Sequence, residues 1–428
     1  MPRDTIFALS SGSPPAGIAV IRVSGPAAGE ALRMLAGGRL PPVRCAAART
    51  LRDAEGGPLD HALVLWMPGP RTATGEDIAE LHLHGGRAVV AAVEAALARC
   101  AGLRPATPGE FTRRAFANGR IDLAEAEGLA ELLESETELQ RRAAMALAGG
   151  RLSQEVGTWR DRVLALSAEV EAALDFSDEE DAGDLGQGFG ERVAALAGEL
   201  GAWLARPRAR VLREGFRVVL AGPPNAGKST LFNALVENEA AITSPIAGTT
   251  RDVIERSVAL AGVPFTFVDT AGLRDSTAGD EIETIGIARA QAEVERADLV
   301  LWLGPEGQGP AGAWEIDAKA DDPARQTKSR GAMAVSARTG EQLDVLRERM
   351  IGHARAALPA PGDVALTERQ AGLVAEAHAA LDGIGQAIDP LIVAEHLRQA
   401  RAAFDRLVGR SSTEDMLDAL FGRFCIGK

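Results

Sequence analysis

Tyrosine is absent from the 428 residues, and aromatic side chains make up only 4% of them. The interior must therefore be built from Ala, Val, Leu and Ile rather than from stacked rings. Cysteine is nearly as scarce. Cys45, Cys100 and Cys425 share no metal-ligand spacing and leave one thiol over in any pairing. That excludes a disulfide scaffold and fits a reducing, cytoplasmic setting. No apolar run reaches the roughly 20 residues of a membrane span. The opening MPRDTIFALSSGSPP lacks the charged-then-apolar pattern of a secretion signal. Excess positive charge is missing too. A net charge of −14 argues against a surface that grips nucleic acid all over, leaving room for a local patch or a partner that supplies the charge. Cys425 stands fourth from the end, where a prenylated cysteine would be, but Gly427 and Lys428 do not suit that signal.

What remains is an ordinary globular composition, 46% hydrophobic and 25% charged, in a chain long enough for two or three domains. Residues 1–117 read as mixed α/β, with strand-like GIAVIRVSG, HALVLWMPG and DIAELHLHGG and a helix RAVVAAVEAALARCAG. Residues 118–213 read as helical: a long Ala/Leu/Glu-rich stretch over 121–175, the acidic DFSDEEDAGD, then a helix over roughly 189–213. Residues 214–356 alternate apolar runs (FRVVLAG, VPFTFVDT, ADLVLWLG, GAMAVSA) with helices, the pattern of a parallel sheet covered on both faces. Residues 357–428 follow a Pro-rich joint and are helical again. The expected architecture is multidomain, with an α/β module inserted between two halves of a helical domain.

GPPNAGKS at 222–229 fits G-x-x-x-x-G-K-[ST], placed between an apolar strand and the helix STLFNALV. Gly222 and Gly227 let backbone N–H groups wrap a phosphate. Lys228 adds a point charge on the β- and γ-phosphates. Ser229 offers a hydroxyl to Mg²⁺. Asn225, Ala226 and Thr230 complete the phosphate-binding loop and first helical turn. GTTRD at 248–252 supplies Thr250 as a second Mg²⁺ hydroxyl and γ-phosphate sensor, flanked by Ala247, Gly248 and Thr249. DTAG brings Asp269, Thr270, Ala271 and the Gly272 N–H. Ser336, Ala337 and Arg338 form a guanine-contacting turn. In order along the chain, these pieces specify a P-loop (Ras-like) GTPase domain with GTP as its ligand.

Two groups are missing. Leu273 follows DTAG where many GTPases carry the glutamine that orients the attacking water, and no arginine finger is evident.

GIAVIRVSGP, TGEDIAELHLHGG, FTRRAFANGRIDLAEAEGLAEL, AALDFSDEED, the GTPase motifs and the terminal FCIGK together resemble the tRNA modification GTPase family MnmE (TrmE), over essentially the whole chain. The resemblance implies that K⁺ takes the place of the arginine finger, held by Asn225, Ser244, Ile246 and Thr249, and that Glu283 positions the water, with Lys228 and Thr250 as its catalytic companions. An amide oxygen beside the phosphates also makes Asn225 a sensible ligand on chemistry alone. One departure stands out. The guanine-reading N-K-x-D is IDAKADD here, so Lys319 and Asp321 are present but Ala318 replaces the asparagine. Loss of one hydrogen-bonding group costs roughly 1–3 kcal/mol. Binding is therefore expected to be weaker but still guanine-selective.

The N-terminal region holds no nucleophile–base pair. His82 and His84 share one strand face but find no further metal ligands. The resemblance instead implies a folate site, for a 5-formyl or 5,10-methylene tetrahydrofolate, matching Arg22, Glu80, Arg120 and Lys428. Glu80 suits the two-donor edge of a pterin, and the basic residues suit carbonyls and the glutamate tail. The Lys428 match would fold the tail back onto the N-terminal domain and leave a role for Cys425 open. Further implications are a homodimer through the N-terminal domains, G-domain pairing around nucleotide, and a heterotetramer-type complex with the FAD-dependent protein MnmG (GidA). That complex would install a carboxymethylaminomethyl or aminomethyl group on carbon five of the wobble uridine of tRNA. The alternative is an RNA-binding regulatory or ribosome-assembly GTPase that modifies nothing.

Overall fold

The computed structural model describes residues 4–175, 185, 188–207, 209–237, 254–270, 288, 290–323, 327–328, 332–360, 363–385, 389–411, 413–422 and 424–427. The chain divides into two compact units. One comprises Met1–Ala130, Leu152–Arg160 and Phe404–Lys428, the other Glu131–Arg151 and Asp161–Ala403.

The first unit is built on a six-stranded sheet of β1 (Thr5–Leu9), β2 (Ile18–Ser24), β3 (Ala47–Arg52), β4 (Pro58–Met67), β5 (Ile78–His84) and β6 (Leu103–Pro105), in the order β3-β4-β5-β2-β1-β6. Only the short β6 runs parallel to its neighbour β1. Strict alternation in β2 and β5 splits the sheet into two faces. Ala19, Ile21, Val23, Leu81 and Leu83 pack in the core with residues of the helices Ala28–Leu35 and Arg87–Ala98. Arg22, Glu80 and His82 point the other way, where the helix Glu110–Ala117 brings Phe111 against Ile6 and Ala8. In the same unit Leu123 and Ala126 form a small core with Leu417, Phe421 and Phe424. The chain's last described residues therefore sit on its first hundred or so. Gly427 makes this possible: its φ is +98°, its carbonyl accepts from the Ser10 hydroxyl at 2.8 Å, and a Cβ there would meet the Leu9 oxygen at 2.1 Å.

The second unit holds β7 (Phe216–Ala221), β8 (Ile254–Leu260), β9 (Val263–Asp269), β10 (Leu299–Trp302), β11 (Trp314–Ala318) and β12 (Met333–Val335), ordered β12-β11-β10-β7-β9-β8. All neighbours are parallel except the antiparallel pair β8–β9. β9 is buried along its whole length, as a strand covered on both faces must be. Helices Phe189–Leu204 and Glu368–Ile384 pack together in this unit, and Phe189, Val193, Leu381 and Ile384 line the groove between them.

Sequence periodicity joins elements that the structure separates. The stretch 121–175 is three helices, Leu123–Glu134, Glu138–Ala148 and Arg151–Asp175. Thr137 starts the second with a capping box, its hydroxyl accepting from the Gln140 N–H while Gln140 Oε1 accepts the Thr137 N–H at 2.8 Å. Gly149 and Gly150 end it. The expected helix 189–213 breaks into Phe189–Leu204 and Ala209–Glu214 around Pro207, whose ring clashes with a continuing helix. The strands β1, β3, β6, β8 and β11 had no distinct sequence signal. Each is short or sits at a sheet edge or in a mixed-polarity run.

Candidate functional site

The first site lies at the end of β7, where the strand order reverses. β9 pairs with one edge of β7 and β10 with the other, which opens a crevice beyond the strand ends. The backbone there takes positive-φ conformations of the kind that phosphate-binding loops use. Gly222 has φ +149°, Asn225 φ +61° and Gly227 φ +95°, and Gly227 caps the helix Lys228–Val236. A Cβ on Gly222 would crowd the Leu303–Gly304 backbone at 3.0 Å, so bulk is excluded. Lys228 is 4% exposed, and its ammonium donates to the carbonyls of Gly222 at 3.0 Å and Pro223 at 2.8 Å. The loop thereby holds the cation at its own centre. Ser229 and Thr230 are exposed on the first helical turn, with Ala226 half-buried before them.

Asp269 closes β9, fully buried and opposite Leu220 in parallel register. The Thr270 hydroxyl donates to the Leu220 carbonyl at 2.8 Å and pins the strand end beside the phosphate loop. A carboxylate at the end of this strand and a serine hydroxyl on the first turn of the phosphate-loop helix are hard-oxygen donors of the kind Mg²⁺ prefers.

A cavity of about 450 Å³ continues from the loop. Gly227, Thr230, Ala318, Asp321, Ala337 and Arg338 are among its lining residues. Lys319, at φ +63°, also lines it and donates to the Asn225 carbonyl at 2.8 Å. The buried Ser336 donates to Asp321 Oδ1 at 2.6 Å and accepts the Thr339 N–H at 3.1 Å. This fixes the Asp321 carboxylate and leaves it acceptor capacity for a two-donor edge such as guanine N1–H and its amino group. Asp322 and Pro323 also line the cavity. No motif singled them out, and only the tertiary fold reveals them. Ser244, Ile246, Ala247, Gly248, Thr249, Thr250, Ala271, Gly272 and Glu283 lie outside the described residues.

The second site is in the N-terminal unit. Arg22 and Glu80 are direct register partners on β2 and β5. The guanidinium donates from Nε and Nη2 to Glu80 Oε1 at 3.1 and 3.0 Å, and lies 5.9 Å from the Phe111 ring centre. His82 Nε2 is 3.3 Å from Glu80 Oε2. A carboxylate offers about four lone-pair sites, so Glu80 can still accept from a pterin edge while both neighbours hold it. Arg120 is exposed, its stem packed on Gly75. His84 pairs elsewhere, with Asp60 at 2.7 Å. Cys425 is exposed in the docked tail, and Lys428 lies outside the described residues.

Beside this face runs a charged network that sequence patterns did not single out. Arg114, 5% exposed, donates to Asp4, Glu76 and Glu110 at 3.0–3.2 Å, and Arg104 donates to Asp4 and Glu110 at 2.6–2.8 Å. Burial alone would raise the Glu110 pKa. Hydrogen bonds from Arg104, the Thr107 N–H and Arg114 override it and hold the carboxyl at about 2. Asp4 is lowered as well, burial again opposing and Arg104 and Arg114 prevailing. The network anchors the helix that carries Phe111. Its one legible trace is the i,i+4 pair Glu110–Arg114.

A phosphate loop after a parallel strand, an aspartate closing the next strand and a base cavity floored by Lys-x-Asp define a P-loop GTPase. Residues 5–120 match the family described as the GTP-binding protein TrmE N-terminus, and residues 123–425 the MnmE helical domain. The tRNA modification GTPase MnmE of Novosphingobium aromaticivorans is 64% identical over 99% of this chain and 100% of its own length, and that of Erythrobacter litoralis is likewise 64% identical over 99% and 100%. A solved Aquifex aeolicus Era structure is 22% identical over 38% of this chain and 66% of its own, at a TM-score of 0.25, too slight an overlap to inform on function. The chain belongs to the tRNA modification GTPase MnmE family, and is thus a GTP hydrolase of tRNA modification with an α/β N-terminal region, a helical region and a P-loop GTPase region. Among the described residues no helix is long and apolar enough to cross a membrane.

Proposed function

We propose that the chain is a K⁺-activated, Mg²⁺-dependent GTPase of the cytoplasm that works with MnmG (GidA), an FAD protein, to place an aminomethyl or carboxymethylaminomethyl group on the wobble uridine of tRNA. The observation that carries the reading is the presence, in one chain, of a guanine-type cavity and an Arg22–Glu80–Phe111 face suited to a folate. The division of labour follows the boundaries 1–117, 118–213, 214–356 and 357–428, with homodimerisation through the first.

In hydrolysis, water attacks the γ-phosphorus and the bond to the β–γ bridging oxygen breaks, releasing GDP and phosphate. Lys228 neutralises charge that builds on the β- and γ-oxygens. Ser229 and Thr250 would hold Mg²⁺, which would supply positive charge to the phosphate oxygens. Asn225, with Ser244, Ile246 and Thr249, would hold K⁺, which would supply the positive charge that an arginine finger gives elsewhere. Glu283 orients the water in place of the glutamine that Leu273 cannot replace. At the second site Glu80 reads the pterin edge, Arg22 stacks with Phe111 and holds Glu80, and Arg120 and Lys428 meet the tail of a tetrahydrofolate that supplies a one-carbon unit.

The test is GTP hydrolysis in KCl against NaCl, with ATP in parallel and the wobble nucleoside analysed in a deletion strain. A rate much higher in K⁺, specific to GTP, together with loss of the modified nucleoside, is expected. Equal rates in the two salts would remove the cation role of Asn225. Normal tRNA in the deletion strain would favour the regulatory alternative.

A further inference from the structure

We propose that Trp302 and the loop folded around it form a buttress that sets the position of Lys228, which makes Trp302 a positioning residue for GTP hydrolysis; this rests on the reading of residues 222–229 as the phosphate loop. β10 ends at Trp302 and β7 at Ala221, and the Leu303 N–H donates to the Ala221 carbonyl at 2.8 Å. The chain leaving β10 thus starts directly against the chain leaving β7, and the two stay in contact. A Cβ on Gly222 would lie 3.0 Å from the Gly304 nitrogen. A Cβ on Gly304 would lie 3.1 Å from the Pro223 ring and 2.3 Å from the Trp302 indole. Gly304 is therefore packed against both the indole and the start of the phosphate loop, with no room for a side chain.

The indole is itself fixed. Its Nε1 donates to the Pro305 carbonyl at 2.9 Å, and a Cβ on Gly309 would meet the ring at 2.7 Å. Lys328, with 8% of its side chain exposed, donates to the Trp302 carbonyl at 2.9 Å and to Glu315 Oε2 at 2.6 Å. Glu315 Oε1 in turn accepts the Gly307 N–H at 3.0 Å. This ion pair ties β11 to the end of β10 and to the loop that follows it. At the phosphate end of the chain of contacts, the Gly222 and Pro223 carbonyls are the two that the Lys228 ammonium donates to, at 3.0 and 2.8 Å. A shift of Gly304 therefore passes to the groups that aim the lysine. Misplacing a reacting or charge-stabilising group by about 1 Å can cost on the order of a hundredfold in rate.

The experiment is GTP hydrolysis in KCl by the full chain and by its Trp302→Leu, Trp302→Phe and Gly304→Ala variants, with kcat counted per nucleotide-binding site from a GDP titration. Trp302→Leu and Gly304→Ala should lower kcat about tenfold, with KM for GTP within about threefold of the parent. Trp302→Phe, which keeps a ring against Gly304, should retain kcat within about twofold. An unchanged kcat per site in Trp302→Leu, whatever its melting temperature, would overturn the inference and leave Trp302 a purely structural residue. A loss in Trp302→Phe as large as in Trp302→Leu would overturn it too, since the ring contact with Gly304 would then not matter. Counting per site removes unfolded protein from the comparison, and Trp302→Leu decides alone where Gly304→Ala does not fold. Hydrolysis that survives Lys228→Ala would instead overturn the phosphate-loop reading beneath it.

Discussion

The phosphate loop and the Arg22–Glu80 face are built by opposite means. The phosphate loop is contiguous: Gly222 to Ser229 follow one another, and most of the binding groups are backbone N–H groups aimed by three positive-φ residues. Its lysine is held by carbonyls five and six residues away. The other face is assembled from side chains on β2 and β5, separated by 58 residues and brought together by strand register. Phe111 joins them from a helix clamped by Arg104 and Arg114. Contiguous sites tolerate changes elsewhere in the fold, whereas assembled sites depend on the packing that aligns their parts.

The largest break in this comparison is Lys228→Ala. Removing the cation that the loop encloses should lower GTP hydrolysis on the order of a thousandfold. A melting curve that barely moves and unchanged binding of 5-formyltetrahydrofolate would show that the damage is confined to one site. Arg114→Met should do the reverse. Leaving Asp4, Glu76 and Glu110 without their shared guanidinium is expected to cost about 3–5 kcal/mol in denaturant unfolding, with GTP affinity retained in the protein that stays folded. A loss under about 1 kcal/mol would show that Arg104 alone holds the network.

Acid should separate the two regions next. Glu110 has its pKa lowered from 4.5 to about 2, so its stabilisation is present above the unfolded value and is lost as pH falls from about 4.5 to about 2. The N-terminal unit should therefore lose on the order of 2 kcal/mol across that window. Glu110→Gln should flatten the dependence when unfolding is followed at fixed salt. Smallest is Glu80→Gln, which keeps the shape but removes the charge proposed to meet the pterin. Weakening of 5-formyltetrahydrofolate binding by roughly tenfold, with hydrolysis in K⁺ unaltered, is the expected result. Unaltered folate binding would assign Glu80 to the ion pair with Arg22 alone.

Much of the nucleotide site was legible before any fold was drawn, because its motifs name backbone conformations as well as side chains. Gly222, Gly227 and Lys228 occupy positions where a short local pattern dictates geometry. Lys319 and Asp321 were legible as half a motif, and the Ser336–Asp321 hydrogen bond puts that half in its register. Asp322 and Pro323 were not, since they line the cavity only through the turn after β11. Long helices were read too generously in 121–175 and 189–213, because hydrophobic period carries across a capping box or a proline that stops the backbone. The short strands escaped for the converse reason. Pairing partners stabilise β1, β3, β6, β8 and β11, and three to seven residues carry too little pattern to announce it.

Sequence by itself determined what could be specified locally: a phosphate loop, an aspartate at the end of a buried strand, a Lys-x-Asp lacking its asparagine, and membership of a family through motifs spread along the chain. Only the tertiary structure decided what depends on residues far apart in sequence meeting in space. Arg22 found Glu80 through strand register, Arg114 gathered three carboxylates, Gly427 let the tail dock on Ser10, and Ala318 came to lie against Gly227 at the cavity. Those contacts form when burial of the apolar faces fixes register and packing, and no local pattern encodes where a partner tens or hundreds of residues away will lie.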